Sequence, residues 1–270
     1  MTMEDQNPRP WLSWLNPAMW LPAAVATVGL GLLWNLVAEH NPYVLPKLGA
    51  VWSQLSDNPT FYLRNAMTTL KEAMAGLGCA VLGASLLAVV AAESAVLRRA
   101  ILPLAVVLNV TPVVAIAPAL VVAFGFGSAP KIAVTAIITF FPILINLLTG
   151  LNQVDRSMLD VLRSVRASRG EVLWHLQVPS SLPFLFAALR ICFPLSVVGA
   201  VVAEFVSAGS EEGLGTLITI ASSNSNLPVV YAAIACLAVL GVALLLAVRL
   251  VERWVLSWRG PARAVPAEPG

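Results

Sequence analysis

The sequence predicts an all-α, polytopic membrane protein with six transmembrane helices and a two-helix loop on the cytoplasmic side. Three observations carry this. First, 59% of the 270 residues are hydrophobic and only 11% are charged, whereas a soluble chain is about 45–50% apolar and about a quarter charged. Second, six apolar runs, at 21–38, 73–92, 103–124, 131–150, 184–206 and 229–250, approach the ~20 residues that cross a bilayer as a helix. None shows the alternation of a barrel strand. Third, the bases fall unevenly. With the N-terminus inside, only Lys47, Arg64, Lys71 and Lys131 of the 16 Lys and Arg residues lie outside. The positive-inside rule then puts both termini in the cytoplasm.

Residues 1–20 form a cytoplasmic lead segment. Glu4, Asp5 and the single base Arg9 do not make the positive start of a signal peptide, so the first run is a retained span. Trp11, Trp14 and Trp20 either sit at the membrane interface or pack on protein. The connector "NPYVLPKLGAVWSQLSDNP" (41–59) is an outer loop with a short amphipathic stretch. The lead-in "LRNAMTTLKEAMAG" predicts that the second span begins outside as an amphipathic helix.

Pro112, Pro118, Pro142 and Pro194 are expected to break spans three to five, because each removes a backbone hydrogen bond. Freed carbonyls beside a cavity help to line a path. Asn109, Thr111, Thr139, Asn146 and Ser196 either add polar lining or serve as interhelical glue. Arg190 lies two turns inside span five, within reach of the interface by snorkelling. Glu204 lies about 18 residues into that span, roughly 27 Å from its inner end. It sits either among headgroups or at the outer mouth of a path. The outer segment "SAGSEEGLGTLITIASSNSNLP" (207–228) has an apolar middle. The transmembrane domain covers 21–250, and the cytoplasmic tail 251–270 ends in "GPARAVPAEPG", which has a disordered composition.

The loop 155–182 resolves into two short helices. In the first, from about 155 to 165, Met158, Leu159, Leu162 and Val165 share a face. Asp155 and Asp160 suit its positive end, and Arg163 and Arg166 follow. Ser168 and Glu171 form a capping-box pattern that starts the second helix. Val172, Leu173 and Leu176 give that helix an apolar face, and Pro179 is expected to end it. Pro183 then fits the first turn of span five. The apolar face either folds back on the bundle or docks a cytoplasmic protein.

Enzyme chemistry is not visible. No Gly-x-x-x-x-Gly-Lys-Ser/Thr phosphate cradle occurs, and "GFGSAPK" (125–131) lacks the second glycine and the hydroxyl residue. His40 and His175 lie far apart in the topology, so no metal site or Ser-His triad is expected. Cys79, Cys192 and Cys236 fall in apolar runs without ligand or disulfide spacing. The slight excess of bases does not indicate a nucleic-acid partner.

Residues 102–204 resemble the membrane subunits of bacterial type I ABC importers, in particular the nitrate/taurine/alkanesulfonate permease group. The likeness rests on "LPLAVVLNVTPVVAIAPALVVAFGFGSAPKIAV", "FFPILINLLTGLNQVD", "RSVRASRGEVLWHLQVPSSLPFLFAALR", "VVAEF" and "EEGLGTLI" in this order. The resemblance implies that 155–182 is the coupling loop seated in an ATPase subunit. It implies a second permease copy as a homodimer, a periplasmic solute-binding protein and residence in the bacterial inner membrane. ATP and magnesium would be held by the partner ATPase, and no cofactor by this chain. The sequence departs from the family's loop: Asp160, Val161 and Leu162 replace Glu-Ala-Ala, and Arg166 replaces a glycine, while Val178, Pro179 and Pro183 keep the pattern. The expected function is translocation of a small solute such as nitrate, taurine or a sulfonate. The rival reading is a secondary transporter or channel, against which the charge-poor middle of the spans argues.

Overall fold

The computed structural model describes residues 17–207 and 212–257. The lead segment 1–16, which holds Trp11 and Trp14, and the tail from 258 onward lie outside the described residues. Every regular element among the described residues is helical. In chain order they are α1 (Pro17–His40), α2 (Leu48–Asp57), α3 (Pro59–Glu93), α4 (Ala95–Val110), α5 (Val113–Phe124) and α6 (Ser128–Asn152). Then come α7 (Arg156–Ser164), α8 (Arg169–Val172), a π-turn (Leu173–Gln177), α9 (Val178–Val206), α10 (Leu214–Ser223) and α11 (Leu227–Val255).

Four helices are long and apolar enough to cross a membrane: α3, α6, the continuous Arg169–Val206 helix, and α11. The described apolar part of α1, Ala24–His40, is shorter. The run 103–124, expected as one span, is two helices, α4 and α5, that meet at 96°. The cause is local. Proline disfavours the helical region for the residue before it, and Thr111, before Pro112, is extended at ψ 126°. The other prolines expected to break spans do not. Pro118, Pro142 and Pro194 lie inside α5, α6 and α9. Neighbouring helices and local adjustment let membrane helices absorb such positions.

The core is the packing of α6 against α3 and α9. Gly76, Ala80, Ala84 and Ala88 recur every fourth residue along α3, so they form one ridge. The three alanines are fully buried. Small residues let backbones approach closely, the usual device of membrane helix pairs. At Gly76 the fit is so close that an added Cβ would lie 2.5 Å from Thr135 Cβ on α6. Gly150 of α6 meets Ser181 and Phe184 of α9 in the same way. Leu77, Leu144, Leu147 and Cys192 fill the remaining space.

α1 leans on the bundle at its C-terminal end. The Trp34 indole donates to the Pro46 carbonyl at 3.0 Å and stacks edge-on against Tyr231 of α11. The amphipathic stretch expected in the first outer loop is α2, and the apolar middle of 207–228 is α10.

Candidate functional site

The hairpin between α6 and α9 keeps the caps read from the sequence and changes the packing. The Ser157 amide donates to the Asp155 carboxylate at 2.9 Å and holds it below the usual carboxylate range. At the other end of α7 the Arg166 amide donates to the Arg163 carbonyl and the Ala167 amide to the Leu162 carbonyl. This pair of bonds is the Schellman ending, which places a left-handed residue after the helix. Arg166 takes that place at φ 56°. The long side chains of Asp160 and Arg163 are exposed and 3.5 Å apart, a weak surface pair. Ser168 and Glu171 form the complete capping box.

The second loop helix does not end at Pro179. α8 continues through the π-turn into α9, with Pro179 in the first turn of α9 and Pro183 inside it. Because the helix is continuous here, Pro179 does forgo one helical hydrogen bond, and it does so directly after the wider π-turn that closes on the Val178 amide. This continuity rotates the expected apolar face. Leu173 turns into the main core, Leu176 is buried at the floor of the hairpin, and Val172 is half-buried. The apolar side chains left open on the hairpin are Met158, Val161, Val165 and Trp174. Met158, Val161, Leu162, His175 and Leu176 line a shallow groove of about 330 Å³ between the two arms.

A second polar constellation sits near the opposite end of the bundle, and sequence reading missed most of it. Glu204 is 2% exposed, so it faces neither headgroups nor an open mouth in this chain. Its carboxylate accepts from Thr69 Oγ1 of α3 at 2.8 Å and from the backbone amides of Gly215 and Thr216. Those amides open α10, whose N-cap Gly213 has no capping side chain. Glu204 therefore serves from another helix as the anion that a helix N-terminus favours. Thr69 Oγ1 in turn accepts from the Leu214 amide, and Asn65 Oδ1 from the Gly213 amide.

Beside it, Lys131 Nζ of α6 donates to Glu72 Oε1 of α3 at 2.8 Å, with both side chains buried. The second oxygen of Glu72 lacks a hydrogen-bond partner and lies within the field of Glu204. Two carboxylates thus face one ammonium and one helix N-terminus. Buried charges persist only when paired and hydrogen-bonded; Lys131 partners one oxygen of Glu72 and the α10 amides partner Glu204, while Glu72 Oε2 is left without a donor. Its signal was faint in the sequence: Glu72 stood in a polar lead-in, and Lys131 at a span end where bases are ordinary.

Residues 82–257 match the family described as binding-protein-dependent transport system inner membrane component. The chain belongs to that family. A formylaminopyrimidine transport permease of Halalkalibacterium halodurans is 32% identical, over 85% of this chain and 92% of that protein. A riboflavin transport system permease of Chloroflexus aurantiacus is 32% identical, over 90% and 91%. The taurine transport permease of Escherichia coli is 32% identical over 55% of this chain and 54% of its own length. A crystal structure of an amino acid ABC transporter with histidines matches in fold, with TM-score 0.60 and 16% identity, over 74% of this chain and 97% of that one.

The protein is the permease subunit of an ABC importer. The remaining candidate path residues of this permease are spread out. Asn109 is exposed on α4, and Thr111 at the α4–α5 break donates to the Val107 carbonyl. Thr139 and Ser196 are fully buried and donate to carbonyls of their own helices, at 2.9 Å and 2.7 Å. Among their side chains only that of Glu204 joins a network between helices. Arg190 pairs with Glu252 of α11 rather than standing alone.

Proposed function

We propose that two copies of this permease form one translocation path in the bacterial inner membrane, and that two ATPase subunits drive it by gripping the α7–α8 hairpins. The observation that carries this is the open apolar set Met158, Val161, Val165 and Trp174 on a polar, doubly capped hairpin. Burying one such side chain against a partner contributes roughly 1.5–3 kcal/mol. ATP and magnesium belong to the partner. The base asymmetry orients the hairpin and both termini towards the cytoplasm, with α1, α3, the α4–α5 pair, α6, α9 and α11 as six crossings. A periplasmic binding protein then delivers solute at the opposite end, where α2 and α10 lie.

The substrate is a small solute, and the heteroaromatic class has the wider support. The two relatives named for formylaminopyrimidine and riboflavin align along nearly the whole chain, the taurine relative along about half. The test is uptake into proteoliposomes containing permease, cognate ATPase and binding protein. Labelled aminopyrimidine should accumulate only with ATP inside, and taurine should compete poorly. Uptake that persists without the ATPase would overturn the ATP-driven reading in favour of a secondary transporter.

A further inference from the structure

Arg190 of α9 and Arg249, Glu252 and Arg253 of α11 line an open pocket of about 540 Å³ towards the hairpin end of the bundle. Residues 249, 252, 253 and 256 recur at helical spacing, so they share one face of α11. Arg190 engages both oxygens of Glu252, Nε to Oε2 at 2.6 Å and Nη2 to Oε1 at 2.5 Å. That carboxylate is therefore occupied. Arg249 and Arg253 are exposed and have no acidic partner among the described residues. Three guanidinium groups against one carboxylate leave the pocket with two positive charges in excess.

Bases at a helix end satisfy the positive-inside rule without any ligand. Here a second feature adjoins them. An apolar groove of about 670 Å³ runs between the same two helices, from Pro194 to Phe205 on α9 and from Leu245 to Ile234 on α11. Pro194 is about one turn beyond Arg190, and Leu245 about one turn beyond Arg249. The groove therefore continues the pocket into the bilayer and runs past its centre to Phe205, beside Glu204. Its length along α9 is about 16 Å at 1.5 Å per residue, close to half of the ~30 Å hydrocarbon layer. Trp254, 81% exposed beside the pocket, is the residue type that favours headgroup depth.

We propose that α9 and α11 bind one anionic phospholipid, with its phosphate between Arg249 and Arg253 and an acyl chain entering the groove at its Pro194–Leu245 end. The leaflet is the cytoplasmic one under the orientation given above, but the binding itself needs neither the ATPase nor the substrate assignment. Charge selects the head, since juxtamembrane arginines attract anionic headgroups. The groove selects a lipid over a free anion.

Native mass spectrometry of the purified permease, titrated with phosphatidylglycerol or phosphatidylcholine of equal chain length, tests this. Phosphatidylglycerol should be retained preferentially, and the Arg249→Gln/Arg253→Gln variant should bind it roughly thirtyfold more weakly, about fivefold per arginine. Arg249→Lys/Arg253→Lys keeps the charge and should retain most of the binding. Should the double glutamine variant not fold, the single Arg249→Gln variant should still show the fivefold loss. Equal retention of the two lipids, or an unchanged glutamine variant, would overturn the proposal. Complete displacement of phosphatidylglycerol by millimolar inorganic phosphate would instead assign a free-anion site. Ready disulfide formation between copies carrying Val242→Cys would make the groove a subunit interface and also refute the lipid.

Discussion

Glu204 and Thr69 are joined across α9 and α3 by a 2.8 Å hydrogen bond, though 135 residues separate them in sequence. Between them they hold the amides of Leu214, Gly215 and Thr216, so α10 is fastened to two spans at once. Glu204→Gln keeps one carbonyl oxygen and turns an amide N–H₂ towards donors. We expect a loss of about 1.5–3 kcal/mol, the range for hydrogen bonds to a charged group. Thermal unfolding in detergent measures it. Labelling of a cysteine placed in α10 should speed up in parallel, and unchanged labelling would refute the fastening role.

Lys131→Met should be the more damaging change at this end. It leaves Glu72 and Glu204 buried together without their ammonium, and removing one member of a buried pair costs about 3–5 kcal/mol. Adding Glu72→Gln should recover much of the loss, because the orphaned charge goes with it. A double variant no more stable than Lys131→Met alone would mean that the lysine matters for packing, not charge.

On the hairpin, the two faces should separate cleanly. Val161→Glu and Trp174→Ala change exposed positions; they should release the ATPase in co-purification and leave the melting temperature within a degree or two. Leu173→Glu buries a carboxylate in the core and should instead damage the bundle itself. Normal ATPase capture by Val161→Glu would count against docking on this face.

Arg166→Gly bears on a strained position. A non-glycine residue in the left-handed region costs about 1–2 kcal/mol, so glycine should tighten the hairpin turn. If the guanidinium pairs with a carboxylate of the ATPase, the same variant should weaken the complex, most at low salt. We expect both effects together. Unchanged complex stability at low salt would leave Arg166 a turn residue and nothing more.

Several of these features were open to view in the sequence. The four spanning helices announce themselves by length and apolarity, and Ser168–Glu171 announces its capping box, because both signals are local. The α4–α5 break was foreshadowed by Pro112, but Pro118, Pro142 and Pro194 look the same in sequence and break nothing. Which proline breaks a helix depends on neighbours that only the packed bundle supplies. The burial of Leu173 and Leu176 was out of reach for a related reason: once α8 runs unbroken into α9, its apolar face is set by the rotation of the whole span. The Glu72–Lys131 pair joins residues 59 apart in sequence and leaves no periodic trace.

Because Arg169–Val206 is one unbroken helix of 38 residues, the hairpin and the seat of α10 are two ends of one lever about 57 Å long. No loop lies between them to absorb a push. A tilt of about 5° at the capped end would carry the Glu204 end sideways by about 5 Å, and α10, tied to that carboxylate, would travel with it. Spin-label distances along the helix between the exposed positions 170 and 205 should then hold constant when nucleotide binds the ATPase. Distances from 205 to α5, across the 96° elbow, should change instead.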